Sequence, residues 1–461
     1  MHATTAASGG PTHPAHPASS SRLLINRDFA LLWGGQTVSN LGDWLFNTTL
    51  VLWIATGLGH GKPWAPLAVS GVLVARFVPT IVAGPLAGVF VDRWDKRRTL
   101  LWADALRALL LLLLAAVAGL ASLPLAWRLG LIYAVVVLAT VCGQFFDPAR
   151  LALVGDIVAE PDRPRGSSLE QVTGSLALVV GPALAAPLYV GLGARWAILA
   201  DALSFAASFL LVLRVRTPRL SPQADSQTGD AIGDAIKERG DVGGEFVAGL
   251  RVVAGHRVLR TIAVSGVLAL LGFGSINALD IFFATGTLHA STALYGLLDG
   301  AVGIGLLGGA ALGGLLATRL GLTRLLWLSL VALGLLIMVY ARQTLFGPAL
   351  AVLFLLGIPN GTLNVVIGPL LLQATPRAFV GRVEAALMSL LSLASLGSII
   401  VAGLLDGTLL RGFHARVLGL AVGPIDTIFT GAGLLALAGG LYAARNLRHA
   451  PTSGQTEDKA A

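Results

Sequence analysis

Twelve apolar runs, each close to the ~20 residues that carry a helix across the hydrocarbon of a bilayer, follow one another along almost the whole chain. They occupy residues 29–57, 66–91, 99–121, 129–149, 169–192, 194–213, 259–285, 292–318, 322–341, 345–372, 380–405 and 417–444. In hydrocarbon every backbone N–H and C=O must find its partner inside the protein, which leaves helices or closed barrels. Runs of this length without strict alternation are helices. Only 12% of the residues are charged, against about 25% in an average soluble chain. The expected class is therefore an all-α membrane protein with twelve transmembrane helices.

The one long polar stretch divides these helices into two sets of six. Residues 1–26 read as a disordered tail with no signal peptide, 27–215 as the first six-helix bundle, 216–258 as a central loop, 259–446 as the second bundle and 447–461 as a second tail. At the end of the loop Phe246, Leu250 and Val253 recur at helical spacing beside Arg251 and Arg257, as in an amphipathic helix in the membrane interface or a soluble linker helix. The net charge of +8 comes from Lys and Arg gathered in alternate connections. Arg93, Lys96, Arg97, Arg98, Arg150, Arg163, Arg165, Arg319, Arg324, Arg377, Arg382, Arg445 and Arg448 fall on one side. By the positive-inside rule that side, with both termini, is cytoplasmic, and the charge speaks for a membrane and not for nucleic acid. The single cysteine, Cys142, excludes an intramolecular disulfide. The segment Gly88-Val-Phe-Val-Asp-Arg-Trp-Asp-Lys-Arg-Arg98 is echoed by Gly314-Leu-Leu-Ala-Thr-Arg-Leu-Gly-Leu-Thr-Arg324 at the matching connection of the second half. Two pseudo-symmetric parallel halves of this kind are an architecture of transporters.

Polar residues inside the runs show where water or cargo would go, because a charge at the bilayer centre costs about 3 kcal/mol on insertion scales. In the first run Gln36, Asn40, Asp43 and Asn47 step by four, three and four, which puts them on one helix face. Thr140, Gln144 and Asp147 in the fourth run, Asn277 and Asp280 in the seventh, and Asn360 and Asn364 in the tenth repeat the device every third helix. Asp43 and Asp280 are the expected proton-exchanging groups, since burial penalises the charged form of a carboxyl group. Arg76 is a candidate for the substrate cavity and a possible ion-pair partner of Asp43. Asp104 and Arg107, three residues apart, are expected to pair across a helical turn and to support the neighbouring loop.

Residues Gly88, Asp92, Arg93, Arg97 and Arg98 resemble the signature between the second and third helices of the major facilitator superfamily, with Phe90 for the usual Leu and Asp95 for the usual Gly. Gly174, Gly181 and Pro182 resemble its antiporter signature, although ordinary small-residue helix packing explains them equally. Across residues 26–448 the chain is most similar to drug:proton antiporters of the enterobactin-exporter and macrolide-efflux type. The resemblance implies that helices one, four, seven and ten line the central pathway. It also implies that Asp92 bonds across to the start of helix eleven, at Arg382 and Glu384, to lock one conformation.

Two motifs mislead. Gly303-Ile-Gly305-Leu-Leu-Gly308 matches a dinucleotide fingerprint but has no preceding strand and no ribose-binding acid; Gly305, Gly309 and Gly313 instead form a stripe for helix packing. Gly57-Leu-Gly-His-Gly-Lys62 resembles a phosphate loop, but Pro63 stands at the Ser/Thr position. No metal site, cofactor or convergent catalytic constellation is expected, so the chain is read as no enzyme. The expected activity is proton-coupled efflux of a lipophilic or amphipathic small molecule by a monomer in the bacterial cytoplasmic membrane. The alternatives are export of a siderophore or other metabolite, import of a nutrient, and a non-transporting receptor.

Overall fold

A computed structural model describes residues 25–91, 93–120, 122–216, 242–376, 379–413, 415–417 and 420–447. Most of both tails and of the central loop, together with Asp92 and Arg377, lies outside them. The first helix starts where a polar side chain can serve its unpaired N–H groups. Asn26 Oδ1 accepts from the Phe29 N–H at 2.7 Å, and Asn26 Nδ2 donates to the Ile157 carbonyl at 2.7 Å. From this cap runs α1 (Arg27–Leu52), prolonged by a π-helical turn at Trp53–Leu58. There follow α2 (Ala65–Val91), α3 (Lys96–Ala118), α4 (Leu125–Ile157), α5 (Arg163–Leu192) and α6 (Ala194–Val212). After the central loop come α7 (Val242–Gly255), α8 (Arg257–Gly286), α9 (Tyr295–Leu320), α10 (Leu322–Tyr340), α11 (Phe346–Ala374), α12 (Val380–Leu404) and α13 (Pro424–Leu447).

Eleven of these helices are long and apolar enough to cross a membrane. The twelfth crossing, α1, is as long, and the polar face on Gln36, Asn40, Asp43 and Asn47 is what lowers its hydropathy. The remaining helix, α7, lies along α12, where Gly249 is close against the Arg382 carbonyl and Ala386.

Packing repeats with a shift of six crossings. In the first half α1 packs on α5 and α6, α2 on α4, and α3 on α4 and α6; in the second, α8 packs on α12 and α13, α9 on α11, and α10 on α11 and α13. The halves meet through α2 with α12 and α5 with α9. The near end of the molecule is the one where α1 begins and α13 ends. The halves touch toward the far end, where Gly403 abuts Ser70 and the Pro66 carbonyl, and Gly296 abuts the Pro182 carbonyl. A methyl group at Gly296 would overlap that carbonyl, so this crossing requires glycine. The Gly305, Gly309 and Gly313 stripe lies against Phe354, Ile358 and Thr362 of α11, as helix packing predicted, and Thr362 Oγ1 donates to the Gly309 carbonyl at 3.0 Å.

Three boundaries differ from expectation. The fourth helix does not stop near residue 149 but carries Pro148 in its interior and reaches Ile157, because membrane helices tolerate the N–H that proline removes. The fifth begins six residues earlier than expected, at Arg163, with Pro164 in its first turn, where a missing N–H costs nothing. The twelfth crossing begins at Pro424 and not at 417; Ala415–Val417 (β1) and Leu420–Val422 (β2) pair antiparallel, with Val417 opposite Leu420. The Gly423-Pro424 pair marks the true start, and Asp426 Oδ2 accepts from the Gly423 N–H at 2.8 Å.

Candidate functional site

The polar face of α1 forms one wall of a cavity of about 770 Å³ between the two halves. Gln36, Asn40, Asp43 and Asn47 all line it, as do Arg76 from α2, Thr140, Gln144 and Asp147 from α4, Asn277 and Asp280 from α8 and Asn360 from α11. Aromatic side chains fill the spaces between them, with Trp44, Phe46, Phe77, Phe146 and Phe205 on the first half and Phe273 and Tyr295 on the second. The cavity is bounded toward the far end by the contacts between halves, whereas Thr80 and Asp147 of its wall are exposed. Asn364 does not line it and is exposed. A step of four residues rotates a helix by about 40° from register, and on α11 that rotation carries Asn364 off the wall that Asn360 reaches.

The first half holds an ionic core. Arg107 Nη2 donates to Asp104 Oδ1 at 2.8 Å, and Ser208 Oγ of α6 donates to Asp104 Oδ2 at 2.7 Å. The Arg107 guanidinium lies between two rings, 4.4 Å from the Phe146 centroid and 4.3 Å from that of Phe205, a cation–π arrangement that gains strength once water is excluded. The expected pairing of Asp104 with Arg107 is present, but its place is corrected. Both residues are buried, Asp104 completely, and Arg107 reaches the cavity wall, because α6 and α4 cover that face of α3. The other expected partner differs too. No ion pair joins Arg76 to Asp43 among the described residues; Arg76 stands in the wall as a charge facing Asp43 and Asp201.

The second half is built differently. Tyr340 of α10 donates to Asp280 Oδ1 at 2.5 Å. The tyrosine is held by Phe283 and Phe429, with ring centroids 5.0 and 6.0 Å from its own. Asp299 of α9 lines the cavity near Asp280. Asp201 on α6, Asp299 and Tyr340 are wall or support residues that the sequence reading passed over. The signal for the two aspartates was present: each is an ionisable residue inside an apolar run, the criterion that singled out Asp43.

At the near end Arg97 donates to the Val212 carbonyl at 3.3 Å and to the Leu213 carbonyl, joining the start of α3 to the end of α6. Arg93 and Arg98 are exposed, Lys96 pairs with Asp156 at 2.8 Å, and Arg150 pairs with Glu170 at 2.7 Å. Asp95, where the family signature has glycine, accepts from the Arg98 N–H at 2.7 Å and so caps α3. Gly88 lies in the last turn of α2. The acid expected to bond across the halves, Asp92, lies outside the described residues; Arg382 and Glu384 are exposed at the start of α12. Of the antiporter-like residues, Gly181 packs against Trp44 and Leu41 of α1, Pro182 presents its carbonyl to Gly296 of α9, and Gly174 faces open space. The Gly181-Pro182 step is thus a place where α5 touches α1 and the opposite half together. Among the described residues no group of three His, Cys, Asp or Glu is arranged to hold a metal ion.

The family model described as Major Facilitator Superfamily matches residues 32–286. An uncharacterized MFS-type transporter, YkuC, of Bacillus subtilis (strain 168) is 24% identical over 78% of this chain and 81% of its own length. Macrolide efflux protein A of Streptococcus pyogenes is 26% identical over 54% of this chain and 57% of its own. A putative bacilysin exporter, BacE, of Bacillus amyloliquefaciens is 26% identical over 42% and 45%. The chain thus spans about half the length of these two named exporters. Among solved structures, a bacterial homologue of the iron transporter ferroportin in an inward-facing state superposes with a TM-score of 0.68 at 15% identity, over 91% of this chain and 98% of that one. The nucleoside transporter NupG superposes with a TM-score of 0.65 at 12% identity, over 92% and 100%. These structures share the fold.

Proposed function

Given that the chain belongs to the major facilitator superfamily and is a multi-pass membrane transporter, we propose that it exports a lipophilic or amphipathic small molecule, such as a drug or antibiotic, in exchange for protons. The observation that carries this reading is the cavity. At about 770 Å³ it falls in the range of sites for drug-sized ligands, and aromatic rings and carboxylates share its wall. Bounded at the far end, it offers cargo a path from the near end. Rocking the two bundles about it would alternate access. In this reading Asp43 and Asp280 exchange protons, and Gln36, Asn40, Asn47, Arg76, Thr140, Gln144, Asp147, Asn277 and Asn360 meet the cargo. Asp92 locks one state by bonding to the start of α12 at Arg382 and Glu384, and Gly88, Arg93, Arg97 and Arg98 shape its loop. The near end, rich in Lys and Arg, faces the cytoplasm of a bacterium, and the protein works as a monomer. The names of the macrolide and bacilysin relatives support the outward direction.

A susceptibility and accumulation panel in an efflux-deficient bacterial host, with and without a protonophore, tests the reading. Expression should lower accumulation of at least one amphipathic compound, and the protonophore should abolish the difference. No change for any compound overturns export, and raised accumulation assigns import. Asp43→Asn retaining full proton-coupled efflux in vesicles would remove that residue from the mechanism.

A further inference from the structure

Asp201 is completely buried on α6. Its Oδ1 accepts from Ser204 Oγ at 3.0 Å, while Oδ2 has no hydrogen-bond partner. Native proteins rarely leave a buried polar atom unpaired, and a carboxylate is among the most costly groups to leave so. The residue is also held tightly against α1. A methyl group added at Gly42 would fall on Asp201 Oδ1 and Ser204 Oγ, so glycine at 42 is what allows Asp201 to sit beside the turn that carries Asp43. Both aspartates line the central cavity.

The charges around it do not balance. The core of the first half contains Asp43, Asp104 and Asp201 against Arg76 and Arg107. Asp104 takes Arg107 as its ion-pair partner at 2.8 Å, and Arg107 is held there by the two phenyl rings. With the charge of Arg107 balanced by Asp104, Arg76 is the one cation left to offset the two carboxylates, and the exposed Asp147 of α4 adds a further negative charge facing Asp43. The charged groups acting on Asp201 are Asp43 from α1, Arg76 from α2 and Arg107 from α3, and α5, apart from its near-end Arg163, Arg165 and Glu170, adds only Tyr189, which shares a hydrogen bond with Thr56 at 3.3 Å. Two carboxylates and one guanidinium become neutral by binding one proton, and two sites that interact strongly titrate as a unit.

We propose that Asp201 is a second proton-carrying residue of the transport cycle, sharing one exchangeable proton with Asp43. The proposal rests on proton-coupled export as read above and adds a residue on α6 to the α1 site. A proton from cavity water binds one carboxylate oxygen of the pair. It leaves as hydronium on the other side after the bundles rock, and only O–H bonds form and break. Binding it removes a buried negative charge, which favours the conformation that closes the wall around Asp201; losing it favours the one that wets the pair.

The proton itself is the probe. Infrared spectra of the full-length protein in nanodiscs, titrated from acid to alkaline pH, should show a protonated-carboxyl band in the wild type that is lost in Asp201→Asn and restored by Asp201→Glu. The same titration is followed by the distance between spin labels at positions 151 and 372, in a Cys142→Ser background. That distance should change with pH in the wild type and stay fixed in Asp201→Asn. An unchanged band in Asp201→Asn overturns the assignment, and an unchanged pH response of the distance overturns its part in the cycle. Should Asp201→Asn fail to fold, Ser204→Ala keeps the carboxyl but removes its donor, and must move the midpoint of the band for the proposal to stand. If no compound is exported by the wild type while the band and distance behave as stated, the export reading fails and the shared proton remains.

Discussion

The two halves of the molecule share one pattern of helix pairing but support their carboxylates in different ways. In the first half Asp104 is held by a guanidinium clamped between Phe146 and Phe205. In the second, Asp280 is held by the hydroxyl of Tyr340, itself packed between Phe283 and Phe429. Both cationic residues of the cavity wall, Arg76 and Arg107, belong to the first half, while the second contributes Asp280 and Asp299 with no base. The duplicated fold constrains where helices touch and leaves the chemistry of the wall free to diverge. An ion pair is the more demanding support, because removing one member strands a charge, whereas removing a hydroxyl leaves one acceptor unsatisfied.

That difference is sharpest at Arg107. Arg107→Ala should leave Asp104 as an uncompensated buried charge and cost about 3–5 kcal/mol, read as loss of the folded fraction in thermal unfolding of the purified protein. Arg107→Lys keeps the charge but not the planar stacking, and should lie between alanine and wild type. A well-folded alanine variant would show that the ionic core is dispensable.

Tyr340→Phe is the matching change in the second half and should cost less, about 1–3 kcal/mol. The ring keeps its contacts with Phe283 and Phe429, and only the donor to Asp280 Oδ1 is lost. If unfolding places this variant below Arg107→Ala, the proposed contrast between the halves is reversed.

How much of this was legible depended on whether the signal lay within one helix or between two. The polar face of α1 is a spacing pattern, and its four members by themselves predict a wet wall. The recurrence in α4, α8 and α11 was equally readable, apart from Asn364, whose rotation off the wall needs the orientation of α11. Asp299 stands alone in its run and Asp201 shares its face only with the small hydroxyls of Ser204 and Ser208, so the chief signal for both was the cost of an intramembrane charge. Partner choice was not legible at all. Arg107 had Asp104 three residues away and Arg76 had Asp43 on another helix as a possible partner, and the covering of α3 by α4 and α6 decided which arginine is clamped. Tyr340 at the end of α10 became the support of Asp280 through the packing of α8, α10 and α13, a contact between residues 60 apart.

The remaining predictions, which run down to the smallest effect, compare the two echoed loops. Aligning Gly88–Arg98 with Gly314–Arg324 places Asp95 opposite Gly321, and both residues stand immediately before a helix. Asp95 has extended backbone and caps α3 through its side chain, whereas Gly321, with φ +77° and ψ 150°, precedes α10 without a side-chain cap. One loop therefore depends on a carboxylate and the other on a backbone region open almost only to glycine. Gly321→Ala should cost about 1–3 kcal/mol through strain, although a Cβ there would meet no neighbour. Asp95→Ala should cost about 1 kcal/mol, and Asp95→Gly, which restores the residue usual in the family signature, only a few tenths. Unfolding measured on the three variants orders them, and a Gly321→Ala variant no less stable than Asp95→Gly would mean that the echo in sequence reflects one shared turn after all.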